Sequence, residues 1–172
     1  EDYEKVHGTD DFDGYWGIWD EKFLDYMGEV LSQQKEPFFS TMFTLTSHHP
    51  FVVPEEYEGV YPKGHTLNHQ CVGYVDDAFR KFFAKYENEE WFRNTVFVFV
   101  ADHVSSEKMT ETFRRSPGDY HTFGFMYAPE SALVGEHRQV VSQIDIMPTL
   151  LGLMGHSEPY FAFGRDIFNE HV

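Results

Sequence analysis

Asn94-Thr95-Val96-Phe97-Val98-Phe99-Val100-Ala101-Asp102-His103 decides the fold. Residues 95–101 are almost continuously apolar, the pattern of a strand buried on both faces, as parallel central strands are. Just upstream, Val72, Val75, Phe79, Phe82 and Phe83 recur at intervals of three and four and predict a helix over 68–86. Residues 38–45, rich in Phe and Thr, have strand length and are expected in the same sheet. Before them, Phe23, Leu24, Met27, Val30 and Leu31 give a helix from an Asp20 cap to about Gln34, ended by Lys35-Glu36-Pro37. Downstream, Phe123-Gly124-Phe125-Met126-Tyr127 reads as a further strand, and Asp145 as the cap of a short helix over 146–154 that Gly155 can end. Helices alternating with buried strands indicate an α/β domain, a layered sheet with helices on both faces. Residues 1–14 are acidic, hold two glycines, and read as a linker or loop entering a domain of residues 15–172.

Composition narrows the function. The chain has 172 residues, 41% of them hydrophobic and 18% aromatic, which suits one packed globule. A formal charge of −16 argues against a nucleic-acid partner, since phosphate backbones need a basic face. The single cysteine, Cys71, excludes an internal disulfide and any cysteine-based zinc cage. No apolar run approaches the roughly 20 residues that a membrane-spanning helix needs. The chain opens on acidic residues with neither an initiator Met nor a signal-peptide pattern, so it is expected to be a piece of something longer.

In open α/β sheets, functional groups gather just beyond the carboxyl ends of strands. Asp102-His103 follows the 95–101 strand, and Thr46-Ser47-His48-His49-Pro50 follows the 38–45 strand. Gly118-Asp119-Tyr120-His121 lies just before a strand. Carboxylate oxygen and neutral imidazole nitrogen both bind zinc or manganese, so Asp-His suits a divalent ion. Neighbours in a strand point to opposite faces, and the pair can share one ion only where the backbone turns out of the strand. Cys71 lies within a helix and reads as core, and Ser105 or Ser106 is an alternative in-chain nucleophile.

At these motifs the sequence resembles the sulfatase-like phosphoglycerol transferases of the lipoteichoic acid synthase type, in the alkaline phosphatase superfamily. The blocks that carry the likeness run in order over roughly residues 15–168. They are Tyr15-Trp16-Gly17-Ile18-Trp19-Asp20, Pro37-Phe38-Phe39 with residues 44–51, residues 94–103, residues 145–155, and Gly164-Arg165-Asp166-Ile167-Phe168. The resemblance implies an alkaline phosphatase/sulfatase-like fold, incomplete at its N-terminal side. It also implies a catalytic domain outside the cell membrane, anchored by upstream transmembrane segments. One divalent ion, manganese or zinc, would be held by Asp102 and His103 together with a Glu and a nucleophilic Thr that lie upstream. By the same likeness His48 would contact the substrate's phosphate, with His121 near it.

The substrate implied is a phospholipid headgroup, or a phosphorylated or sulfated glycan. Ala101 and Val104 depart from the family, which has Gly before the Asp-His pair and Gly or Tyr after it. Two readings stand beside this one. A sulfatase would use calcium and a Cys or Ser nucleophile followed by Pro and Arg, a spacing that Cys71 lacks. A non-catalytic module binding glycans or lipid headgroups would keep the fold alone.

Overall fold

The computed structural model describes residues 2–107, 110–132, 134–136 and 138–169. The chain forms two compact units, Glu1–Ser131 and Ala132–Val172. In the first unit, helices α1 (Asp2–His7), α2 (Asp20–Leu31), α3 (Asn68–Tyr86), α4 (Glu90–Arg93) and α5 (Glu111–Arg114) accompany strands β1 (Phe97–Val100) and β2 (Gly124–Tyr127). The second unit holds α6 (Ile146–Leu153).

The apolar stripes of α2 and α3 face each other. Leu24 and Leu31 of α2 join Ala78, Phe82 and Tyr86 of α3 and Trp91 and Phe92 of α4 in one buried cluster, with Phe38, Met42, Phe83 and Phe97 packed around it. Each large side chain removed from water there contributes about 1.5–3 kcal/mol. The helices touch closely because Gly28 has no side chain: a Cβ there would stand 2.1 Å from Tyr86 Cε2. Tyr86 donates its hydroxyl to the Asp25 carbonyl at 2.9 Å, which closes the same contact from the other helix.

The helix over 68–86 forms with the expected bounds, but its buried face is Cys71, Tyr74, Ala78, Phe82 and Tyr86. Of the expected stripe only Phe82 is among them, while Val72 is exposed. Other expectations are corrected. The segment over 1–14 is not only loop: α1 forms at its start because Tyr3, 5% exposed, packs edge-on against Tyr26 and bonds Asp11 at 2.5 Å. Residues 38–45 form no strand. The Leu45 N–H, at the end of that run, goes to a side chain and not to a neighbouring strand. The 95–101 run gives β1, but it pairs antiparallel with β2, Phe97 opposite Tyr127 and Phe99 opposite Phe125. Phe79 and Phe83 of α3 cover one face through Phe99, Phe97 and Tyr127, at ring separations of 5.2–5.4 Å. On the other face Val100 is 46% exposed, so the strand is not buried on both sides. Continuous apolar character reports what a strand can bury, whereas pairing and cover are set by which segments reach it.

In the second unit Asp145 does not cap α6 with its side chain. Its carboxylate forms a capping box with Ser142 one turn earlier, accepting the Ser142 N–H at 2.8 Å, and also accepts the Arg165 N–H at 2.9 Å, tying the start of α6 to the loop at 165. Both bonds favour the charged form and hold the acid below its ordinary value. Gly155, at φ 69°, ends α6 as expected, with His156 N–H returning to the Leu151 carbonyl at 2.9 Å.

Candidate functional site

β1 ends at Val100, and the chain turns out of the strand after Ala101, whose N–H still bonds the Phe123 carbonyl at 3.2 Å. That turn lets Asp102 and His103 face each other. The His103 N–H donates to Asp102 Oδ1 at 2.9 Å, and His103 Nδ1 lies 2.7 Å from the Val104 carbonyl. A carbonyl can only accept, so Nδ1 carries a proton. Nε2 lies 3.3 Å from Asp102 Oδ2: a protonated ring makes an ion pair there, and a ring without that proton sets two electron-pair donors side by side. Two electron-pair donors held this close fit a shared cation, with the second ring nitrogen anchored as metal-bound histidines usually are. Both side chains are more than half exposed, so an ion can reach them.

The loop beyond is fixed to α3. Glu107 Oε2 accepts the Asn68 N–H at 3.1 Å, and Ser105 Oγ accepts from Glu107 N–H at 3.1 Å and from Asn68 Nδ2 at 3.2 Å. Ser105 is thereby engaged as a structural acceptor. An open cavity of about 290 Å³ adjoins Glu107, lined also by Lys63, His65 and Gln70.

His48 sits on a turn gripped from two sides. Its N–H donates to the Leu45 carbonyl at 2.9 Å, and its Nδ1 lies 2.9 Å from the His49 carbonyl. The same carbonyl accepts Trp16 Nε1–H at 2.6 Å, and the Trp16 ring lies against the imidazole with centroids 4.2 Å apart. Trp16 is aimed by Asp13, whose Oδ1 accepts the N–H groups of Tyr15, Trp16 and Gly17 at 2.7, 2.7 and 3.1 Å. Gly17 permits the approach, since a Cβ there would stand 2.8 Å from Leu45 Cδ1. On the other side Asp20, 1% exposed, accepts the Leu45 and Thr46 N–H groups at 2.9 and 3.0 Å, while its own N–H donates to Thr46 Oγ1 at 3.3 Å. Burial pushes its carboxyl above the ordinary value, against the opposing pull of those N–H groups. The residue expected to cap α2 therefore spends its side chain on the turn before His48.

His121 packs near Phe113, with ring centroids 6.1 Å apart, and follows Asp119, whose Oδ1 is buried with no hydrogen-bond partner among the described residues. Among the described residues no three His, Cys, Asp or Glu side chains form one metal-sized group. The structure thus brings Asp102 and His103 together and adds neither His48 nor His121 to them at metal-binding distance. Cys71 is fully buried in α3. His137, His171 and Lys108 lie outside the described residues. Sequence reasoning assigned no role to Asp13, Trp16 or Glu107. The block 15–20 carried a signal for Trp16, whereas Glu107 had none, since its partner Asn68 is 39 residues away.

The sulfatase family profile matches residues 1–156. The chain is 27% identical over 193 residues to the lipoteichoic acid synthase-like YvgJ of Bacillus subtilis (strain 168), a match covering 98% of this chain and 30% of that protein. It is 26% identical over 171 residues to the lipoteichoic acid synthase of Staphylococcus aureus (strain USA300), covering 90% of this chain and 26% of the relative. The chain thus spans less than a third of the length of either relative. A crystal structure of a protein in the alkaline phosphatase superfamily from Vibrio parahaemolyticus has a similar fold, with TM-score 0.76 and 28% identity, over 98% of this chain and 41% of that one. This likeness bears out the α/β reading.

Proposed function

The chain belongs to the sulfatase family, and from that premise we propose that it forms part of a metal-dependent transferase or hydrolase of phosphate esters, acting on a phosphoglycerol or similar headgroup. The observation that carries this reading is the convergence of His103 Nε2 and Asp102 Oδ2 at 3.3 Å, with His103 Nδ1 anchored on the Val104 carbonyl. The names of the relatives, lipoteichoic acid synthase and its like, favour a phosphoryl substrate.

Asp102 and His103 would hold one divalent ion, manganese or zinc. When bound, such an ion neutralises phosphoryl oxygens and lowers the pKa of an attacking hydroxyl. The chain's own residues supply the rest. The Asp102 carboxylate and the Val104 carbonyl orient the His103 ring. His48, with Nδ1 turned to the His49 carbonyl, leaves Nε2 to meet a phosphoryl oxygen: protonated it donates a hydrogen bond, and neutral it accepts a proton. His121 lends a further contact near the substrate. The nucleophile, a Thr, and a Glu ligand belong to sequence outside these 172 residues, as does the membrane anchor that would place the site outside the cell. Cys71, shut inside α3 with its thiol pushed up to about 11 by burial, is unsuited to be a nucleophile.

The test is turnover of a chromogenic glycerophosphoryl diester and of an aryl sulfate by the intact protein, with manganese, zinc or calcium. The expected result is metal-dependent diester cleavage that Asp102→Ala or His103→Ala lowers by about 10³-fold, the several kcal/mol of charge stabilisation an ion supplies. Preferential aryl sulfate cleavage with calcium would establish a sulfatase instead. Binding of either ester without turnover would establish a non-catalytic module.

A further inference from the structure

The His48 turn is held by a residue far from it in sequence. Leu45 is the junction: its N–H donates to Asp20 Oδ1 at 2.9 Å, and its carbonyl accepts the His48 N–H at 2.9 Å. Thr46 exchanges two bonds with Asp20, N–H to Oδ2 at 3.0 Å and Oγ1 from the Asp20 N–H at 3.3 Å. Thr46 is 4% exposed, so water does not substitute for these contacts. A buried carboxylate on two backbone N–H groups makes charge-assisted bonds, stronger than neutral ones. Asp20 is also the first residue of α2, a helix of 12 residues, so its position is set by the packed α2–α3 core. Four residues earlier, Trp16 fixes the far side of the turn through the His49 carbonyl and the His48 ring.

We propose that Asp20 is the positioning residue of the site, linking the α2–α3 core to the His48 imidazole through Leu45 and Thr46, with Trp16 as the second clamp. The proposal rests on the reading that His48 meets the transferred phosphoryl group. Asp20 touches no substrate; it determines where His48 Nε2 stands. A displacement of about 1 Å at such a group can cost 10²-fold in rate.

Asp20→Asn tests this. It keeps the shape and one acceptor but sets an NH₂ against a backbone N–H. In the intact protein kcat should fall by about 10²-fold with KM little changed, the mark of a contact that matters in the transition state. In a His48→Gln background the same change should cost no more than about twofold, because its effect passes through the ring already removed. Trp16→Phe, at a half-exposed position that leaves the core intact, should act in the same direction and show the same loss of effect beside His48→Gln. A readout without turnover accompanies these. In protein carrying ¹³C-labelled histidine, the Trp16 ring should displace the His48 Hε1 resonance, as its change in Trp16→Leu reveals, and Asp20→Asn should reduce that displacement. An unmoved resonance in Asp20→Asn, or an equal loss of rate with and without His48, overturns the proposal alone. Full activity in His48→Gln overturns the functional reading of His48 and the proposal with it.

Discussion

Glu107 and Asn68 are joined at 3.1 Å, carboxylate to backbone N–H, so the loop that begins at Asp102-His103 is anchored on the first turn of α3. This carboxylate satisfies an N–H that the helix itself leaves open. Glu107→Ala should weaken manganese binding about tenfold, as loss of a supporting contact does, and lower helix stability by about 1 kcal/mol. Titration calorimetry of the intact protein measures the first effect and urea unfolding the second. Unchanged affinity would show that the loop holds its shape without the anchor.

Asp145 makes the second unit sensitive to acid. Its two backbone bonds hold its carboxyl below the ordinary value of 3.8. A depressed folded value means that the stabilisation is complete above pH 3.8 and is lost as the pH falls through the folded value. Amide exchange at Ser142 and Arg165 should accelerate as that range is entered. Asp145→Ala should produce the same loss at neutral pH, about 1.5–3 kcal/mol for bonds to a charged group.

Gly28→Ala should destabilise the first unit by about 1–3 kcal/mol, an overpacking cost. The new methyl would stand 2.1 Å from Tyr86 Cε2, and Tyr86 is walled in by Phe82 and Trp91. The better helix propensity of Ala, worth about 1 kcal/mol, offsets part of this. A lower urea midpoint with an unaltered slope is the expected signature, and Tyr86→Ala should rescue the packing of the methyl.

Cys71 should be inert in the folded protein. Its thiol is fully buried, lies 3.5 Å from the Val52 carbonyl, and is pushed up to about 11 by burial. Reaction with a chromogenic disulfide should follow the unfolding rate and jump to completion in denaturant. Fast labelling under native conditions would place the thiol at the surface.

The 172-residue chain by itself should hold manganese or zinc weakly and turn over no phosphate ester. Catalytic metal sites use three or more protein ligands, and on the proposed reading Asp102 and His103 would supply two. Calorimetry and a diester assay check both points. Metal-dependent turnover lost on Asp102→Ala would place the nucleophile within these residues.

The sequence by itself determined the elements whose signal is local. The three-and-four spacing of Val72, Val75, Phe79, Phe82 and Phe83 gives the extent of α3, and Gly155 ends α6, because side-chain periodicity and backbone freedom are properties of a short segment. Which face of α3 is buried (Cys71, Tyr74, Ala78, Phe82, Tyr86) is not. The Asp102-His103 pair was likewise visible, since its two members are adjacent and a strand end turns them together. Tertiary structure alone decided the rest. Residues 38–45 carry strand composition, yet a strand needs a partner, and the Leu45 N–H is taken by Asp20. The 95–101 run has the apolar content of a central strand, but whether both faces are covered depends on distant segments, and Val100 stays exposed. Asp20 and Asp145 both read as helix caps, because a short acid before an apolar run satisfies that pattern. The Asp20 carboxylate instead bonds N–H groups 25 and 26 residues away, and that of Asp145, besides its capping-box bond to the Ser142 N–H, reaches the Arg165 N–H 20 residues away. A hydrogen bond between remote residues is fixed by how helices pack, and packing depends on the whole chain at once, so no single stretch of sequence states it.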